Sequence, residues 1–227
     1  MLFRSTLLNE GQEIIVQVVK APLGTKGARV TAYLTIPGRY VVYMPTTKRI
    51  GVSRRITSEA ERKRLKDLGT KYQHAHEGGF IMRTVCEGLE GDEIEQDMDF
   101  VRSLWSEIEE RAKRAPVPSL VQPDLDLLLR CTRDLFTDDI ERMSIDDPVQ
   151  AEAVRKLLKR FAPHLADRIE HYKSESAIFD AFGVERAIEQ ALSREVHLDS
   201  GMSIVIDEAE ALTAIDVNTG QIGRAHV

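Results

Sequence analysis

Cysteine is scarce in this chain. Cys86 and Cys131 are the only two among 227 residues. Neither sits in a CxxC or Cys/His pattern, which argues against a disulfide scaffold and for a reducing compartment. Long apolar runs are missing too: no stretch approaches the length of a membrane span, and Met1-Leu2-Phe3-Arg4 lacks the apolar core of a signal peptide. The expected location is therefore cytoplasmic, with no membrane segment. Excess positive charge is also lacking. With 31 Lys and Arg against 37 Asp and Glu the net charge is −6, so no global basic field announces nucleic acid. Internal repeats and low-complexity tracts are absent. What remains is a chain with 42% hydrophobic residues, enough for a sizeable core in one or two domains.

The most informative stretch lies near the end, Ser200-Gly201-Met202-Ser203-Ile204-Val205-Ile206-Asp207 followed by Glu210-Ala211-Leu212-Thr213-Ala214-Ile215-Asp216-Val217-Asn218-Thr219-Gly220. It reads as a hairpin of strands Ile204–Ile206 and Leu212–Ile215 around an acidic turn, the second strand running into a polar cluster of Asp216, Asn218, Thr219 and Gly220. Oxygen ligands at a strand end suit Mg²⁺, which takes one or two carboxylates and completes its shell with water and phosphate oxygens. A surface turn held by Asx-type hydrogen bonds is the alternative, and it stays open here.

Upstream, the order of elements reads as α/β, mixed and built of several subdomains. Strands are expected over Glu13–Val19, Ala28–Ile36, Tyr40–Met44 and Phe80–Val85, the last interrupted by Arg83 and Thr84. A charge there needs a partner, either a structural salt bridge or an anionic ligand. The loop Lys20–Gly27 carries two glycines and two lysines, fit for close approach to a phosphate or for a solvated hairpin tip. Lys48–Arg55 holds four basic residues in eight, the densest positive patch.

Helices are expected over Ser58–Leu68, with Ser58 and Glu61 in capping-box spacing, and over Glu90–Lys113, with Ile94, Met98, Val101, Leu104, Trp105 and Ile108 on one face. Pro116 and Pro118 end the second of these. Trp105, the single tryptophan, reads as core rather than as a stacking platform. Further helices are expected over Asp124–Phe136, from Pro148 through Phe161, and over Ala177–Leu192, split at Gly183, with a short strand at Glu141–Ser144.

Taken in order, GTKGARVT, PGRYVVYMP, GVSRRI, GFIMRT, the Trp-bearing helix, VPSLV and SGMSIVIDEAEALTAIDVNTG resemble the bacterial ribonuclease E/G family over residues 8–220. The resemblance implies a Mg²⁺-dependent endoribonuclease of RNA processing and decay that cuts single-stranded RNA and senses a 5′-monophosphate. It implies the end of an S1-like barrel (residues 1–32), a 5′-sensor region (33–128), an RNase H-like region (129–192) and the start of a DNase I-like catalytic region (193–220).

By motif, Asp216 matches a Mg²⁺ ligand and Asn218 the amide that assists catalysis beside it. Arg83 and Thr84 match residues gripping the 5′-phosphate, with Gly38 and Val42 lining that pocket and Arg54 added to it. Lys26 matches a lysine that contacts single-stranded RNA. The family's second metal-binding aspartate, its zinc link and the homo-oligomer built on that link have no counterpart in these residues, so the chain itself is expected to be inactive or nearly so. An RNA-binding, 5′-end-sensing module without catalysis is the alternative. Both ends look cut, and residues 221–227 match one reading frame of a common sequencing adapter, so they are expected to be an artefactual tail.

Overall fold

A computed structural model of the chain describes residues 8–219; Gly220 and the tail 221–227 lie outside the described residues. The chain divides into two compact units. The first runs to Met143 and includes Val149–Glu170; the second comprises Ser144–Pro148 and the chain from His171 on. The architecture is mixed α/β, with several small sheets.

In the first unit a hairpin, β1 (Gln17–Lys20) and β2 (Arg29–Thr31), pairs Gln17 with Thr31 and Val18 with Val30. The expected strand Ala28–Ile36 is broken at residues 32–35. There the Gln17 side chain replaces a ladder partner: its Oε1 accepts from Thr35 N at 2.9 Å and its Nε2 donates to Thr35 O at 3.1 Å. Glu13–Val19 likewise becomes strand only from Gln17, where pairing with β2 begins.

Next comes a four-stranded sheet of β3 (Ile36–Pro37), β4 (Val41–Met44), β5 (Ile50–Val52) and β6 (Gly79–Met82), in the order β3-β4-β6-β5. β4 is antiparallel to both neighbours and β5 is parallel to β6. A parallel pair needs a crossover, supplied by helix α1 (Glu59–Ala75). Alternation sends Val41, Tyr43, Phe80 and Met82 to one face, where they meet Leu65 and Tyr72 of α1. Helix α2 (Gly91–Arg114) joins the same core through Ile94, Met98, Val101 and Ile108, with Leu104 and Trp105 packed against it. Trp105 is thus half-buried against the core, as a packing residue at its margin. The opposite face carries Val42, Ile81 and Gly51, all half-buried.

The Ser58 cap forms, its Oγ accepting from Glu61 N. The reciprocal half of the capping box does not. Glu61 turns instead to Arg64, with bonds of 2.6 and 2.8 Å, and to Gly88 N. Helix α3 (Leu127–Leu135) is capped by Asp126. Helix α4 (Pro148–Phe161) buries Ala151, Val154 and Leu158, and Phe161 meets Phe100 of α2 at 5.7 Å between ring centres. β7 (Met143–Ile145) and β8 (Ile169–His171) pair as a two-stranded sheet.

The second unit contains α5 (Ile178–Ala181) and α6 (Val184–Leu192), separated as expected at Gly183, whose φ of 69° lies in the left-handed region that glycine adopts freely. A meander of β9 (Glu195–His197), β10 (Ser203–Glu208) and β11 (Thr213–Asn218) follows. Directly opposed residues share a face. Val196, Ile204, Ile206, Ile215 and Val217 therefore form one side, with Glu208 and Thr213 at its end, and Glu195, His197, Ser203, Asp207, Asp216 and Asn218 lie on the other together with Val205 and Ala214.

Candidate functional site

Parallel strands β5 and β6 end together. Val52 pairs with Met82, and Ser53 N donates to Met82 O at 2.9 Å, so Arg54 and Arg55 leave the sheet at the same end as Arg83 and Thr84. Val41 opens β4 opposite Met82, which brings the turn Gly38–Tyr40 there as well. Loops beyond the carboxyl ends of parallel strands are where α/β sheets place ligands. The basic patch Lys48–Arg55 is split by this geometry: β5 occupies its middle, leaving Lys48 and Arg49 at the opposite end.

Arg83 is the centre of this region. The strand expected over Phe80–Val85 stops at Met82, and Arg83 precedes a 3-10 turn, Thr84–Cys86. Arg83 N still donates to Tyr40 O at 2.8 Å, in register with the β4–β6 ladder, and the chain leaves the sheet only as Cys86 N and Glu87 N fold back onto Arg83 O and Thr84 O. The guanidinium is bound through one nitrogen. Nη1 donates to Gly38 O at 2.8 Å, Arg39 O at 2.9 Å and Asp134 Oδ1 at 2.7 Å. The side chain remains 30% exposed, and its Nε–Nη2 edge is not part of these contacts. The ion pair considered for Arg83 is therefore present, and it leaves two donors over.

Asp134 is shared. Arg133 donates to it from Nε at 3.1 Å and Nη2 at 2.8 Å, and reaches back to Pro37 O with Nη1. Burial works against ionisation of Asp134, but hydrogen bonds and charges from Arg133 and Arg83 outweigh it and hold the carboxyl below its usual range. Thr84 Oγ1 lies 3.0 Å from Ser53 Oγ, tying the arginine-bearing turn after β5 to the 3-10 turn. Arg62 Nη1 fixes that first turn by donating to Ser53 O and Ile56 O at 2.8 and 3.0 Å.

Asp97 escaped the sequence reading. It is 2% exposed and accepts three consecutive backbone N–H groups, from Arg39 at 3.0 Å, Tyr40 at 2.7 Å and Val41 at 2.9 Å. Burial pushes its pKa up, against the pull of those three bonds and of the Arg83 charge. A signal was available: Asp97 stands three residues after Ile94 and four before Val101, on the apolar stripe of α2, where an acid needs a buried partner. Cys86 belongs to the same framework, its Sγ donating to Tyr40 O at 3.0 Å while burial drives the thiol pKa to about 12, so it is inert structure.

Of the residues marked from the sequence, Gly38, Arg83, Thr84 and Arg54 are thus collected at one end of one sheet. Val42 is half-buried on that sheet's outer face, opposite Ile81. Lys26 is apart, exposed in the β1–β2 loop, where its backbone closes a tight turn on Leu23 with bonds of 3.0 and 3.1 Å. Asp216 and Asn218 lie in the second unit.

Both were expected in a polar cluster after a strand ending at Ile215. They are strand residues, opposite Val205 and Ser203. Being two apart, they share a face, and Asn218 Nδ2 donates to Asp216 Oδ2 at 3.3 Å. The Asx-turn alternative falls with this pairing. On the same face Asp207 is already engaged by Arg194 at 2.5 and 2.8 Å, which lowers its pKa. Among the described residues no group of three or more His, Cys, Asp or Glu side chains forms a metal cluster.

The sequence profile of the ribonuclease E/G family matches residues 35–226. The chain belongs to the ribonuclease E/G family. Similar family members include ribonuclease G of Escherichia coli strain K12, 41% identical over 216 residues, and ribonuclease G of Haemophilus influenzae, 43% identical over 216 residues. Ribonuclease E of a Nostoc species is 37% identical over 222 residues. These alignments cover 95–96% of this chain but 44% of each ribonuclease G and 32% of that ribonuclease E. The chain thus spans less than half the length of these ribonuclease E/G relatives. Among its described residues no helix is long and apolar enough to cross a membrane.

Proposed function

We propose that this chain is part of a Mg²⁺-dependent endoribonuclease that cuts single-stranded RNA, and that its first unit reads a 5′-monophosphate. The observation that carries the reading is the one-sided anchoring of Arg83. With Nη1 bound to Gly38 O, Arg39 O and Asp134, the Nε–Nη2 edge is a ready-made fork for two phosphate oxygens. The hydroxyls of Thr84 and Ser53, 3.0 Å apart, lie at the same sheet end, where Arg54 would add charge and Val42 an apolar wall. Membership of the family supports the nuclease assignment. On this reading residues 33–128 are the sensor and 193–220 open the catalytic region.

Asp216 is the residue that would hold Mg²⁺, as one carboxylate ligand of a hard cation that keeps water ligands, and the Asn218 amide beside it orients the carboxylate through Oδ2. Bound there, the ion would neutralise phosphate charge and activate water. Lys26 would add a phosphate contact on single-stranded RNA.

The test is binding of 5′-monophosphorylated against 5′-hydroxyl RNA oligomers. A bidentate charge-assisted contact contributes about 1.5–3 kcal/mol, so Arg83→Ala is expected to remove a preference of roughly 10–100-fold. Equal binding of both oligomers by the unaltered chain would refute the sensor.

A sensing module without catalysis is the second reading. The sensor residues are collected within the first unit, whereas Asp216 contributes a single carboxylate beside one amide. Cleavage of the same oligomer with Mg²⁺ is expected to be slow or undetectable; robust Mg²⁺-dependent cutting would overturn that reading.

A further inference from the structure

Arg83 has a flexible stem and lies partly in solvent, yet three acceptors converge on a single nitrogen. Two of the three, the Gly38 and Arg39 carbonyls, belong to the β3–β4 turn, which its own backbone closes with one bond, Gly38 N to Val41 O at 2.8 Å. That turn is fixed from behind by Asp97. Its carboxylate binds the N–H groups of Arg39, Tyr40 and Val41, so the peptide planes between Gly38 and Val41 are locked, and with them the direction of the Gly38 and Arg39 carbonyls. The third acceptor, Asp134, comes from α3 and is itself held by Arg133, which also grips Pro37 O just before the turn. Sequence separations of 44 to 58 residues for the bonds of Arg83 and Asp97, and of 96 between Arg133 and Pro37, show that the arrangement is built by the tertiary fold.

We propose that Asp97 and Asp134 are positioning residues for Arg83: Asp97 through the turn carbonyls and Asp134 directly pin Nη1, so that the Nε–Nη2 edge is presented to a terminal phosphate. This rests on the reading of Arg83 as the phosphate ligand. Neither carboxylate touches the phosphate. Each acts by denying the guanidinium its other rotations, which lowers the ordering cost of binding.

The test uses the full chain with Asp134→Asn and Asp97→Asn. Asp134 is partly exposed, so its variant is expected to fold; Asp97→Asn removes a buried carboxylate and is retained only where its melting curve shows a folded protein. The first measurement needs no RNA. It is the ¹⁵N Nη resonance of Arg83, assigned by its absence in Arg83→Lys. A guanidinium pinned at Nη1 has hindered rotation and gives an Nη1 signal resolved from that of Nη2, and the two are expected to coalesce in either folded variant. The second is the ratio of affinities for 5′-monophosphate and 5′-hydroxyl RNA, expected to fall about tenfold from loss of one charge-assisted bond while 5′-hydroxyl binding is unchanged.

An Arg83 resonance and an affinity ratio both unchanged in Asp134→Asn would overturn the proposal, whatever the fate of Asp97→Asn. A normal ratio with an altered resonance would also overturn it, since pinning would then not serve binding. Should the unaltered chain show no phosphate preference, the phosphate reading itself fails, and the resonance still decides whether the carboxylates position Arg83.

Discussion

Gly38→Ala is expected to destabilise the first unit by about 3 kcal/mol, combining overpacking with damage to hydrogen bonds on a charged group. The cause is space, not backbone conformation, since Gly38 is not among the positive-φ glycines. A Cβ at this position would fall 2.7 Å from Asp97 Oδ1 and 2.8 Å from its Cγ, closer than real Cβ contacts permit. Asp97 cannot retreat, because it is buried and its two oxygens hold three N–H groups. The turn must yield instead, which moves Gly38 O away from Arg83 and weakens the Gly38 N to Val41 O bond of 2.8 Å. Thermal unfolding should show the cost as a fall of about 10 °C for a unit of this size. In the fraction that remains folded, the preference for a 5′-monophosphate should fall as well. An unchanged melting temperature would mean that the Asp97 brace is looser than its geometry.

How far the sequence foretold this site depends on how local each signal was. The stripe Ile94, Met98, Val101, Ile108 on α2, the Ser58 cap and the break at Gly183 involve residues within a turn or two of one another, and each stands where its pattern placed it. Strand ends were less legible. Phe80–Val85 and Ala28–Ile36 both look continuous, yet the first ends in the 3-10 turn that follows Arg83 and the second is stopped by the side chain of Gln17. Gln17 is not local to the strand it interrupts. The same holds for the site: Arg83 announced that it needed a partner, but Asp134, 51 residues on, is marked by nothing in its own neighbourhood. At the other end of the chain the error had the opposite sense. Polar residues after an apolar strand were read as its end, whereas Asp216 and Asn218 continue the ladder on the sheet's polar face. Antiparallel pairing tolerates them because only one face of such a sheet is apolar.

Phe80→Ala is expected to cost more stability than Gly38→Ala while leaving phosphate recognition untouched. Phe80 is fully buried in β6, a central strand, and pairs with Tyr43 on one side and Ile50 on the other. Its ring meets Tyr43 at 5.1 Å and Tyr72 edge-on at 5.5 Å, so it joins the sheet to α1. Removing it leaves a cavity lined by rings too large to collapse into it, a loss of about 3–5 kcal/mol. The backbone of β6 carries Arg83 to the site, but the strand is held by its ladder and does not depend on the Phe80 ring for its direction. Chemical denaturation should therefore show a large drop in the midpoint, while at low temperature the folded variant binds 5′-monophosphorylated and 5′-hydroxyl RNA in the same ratio as the unaltered chain. A preference lost in parallel with stability would mean that phosphate recognition reports general softness of the unit. A preference kept in Phe80→Ala and lost in Gly38→Ala separates the two, and it places recognition in the turn that Asp97 braces, not in the core beneath it.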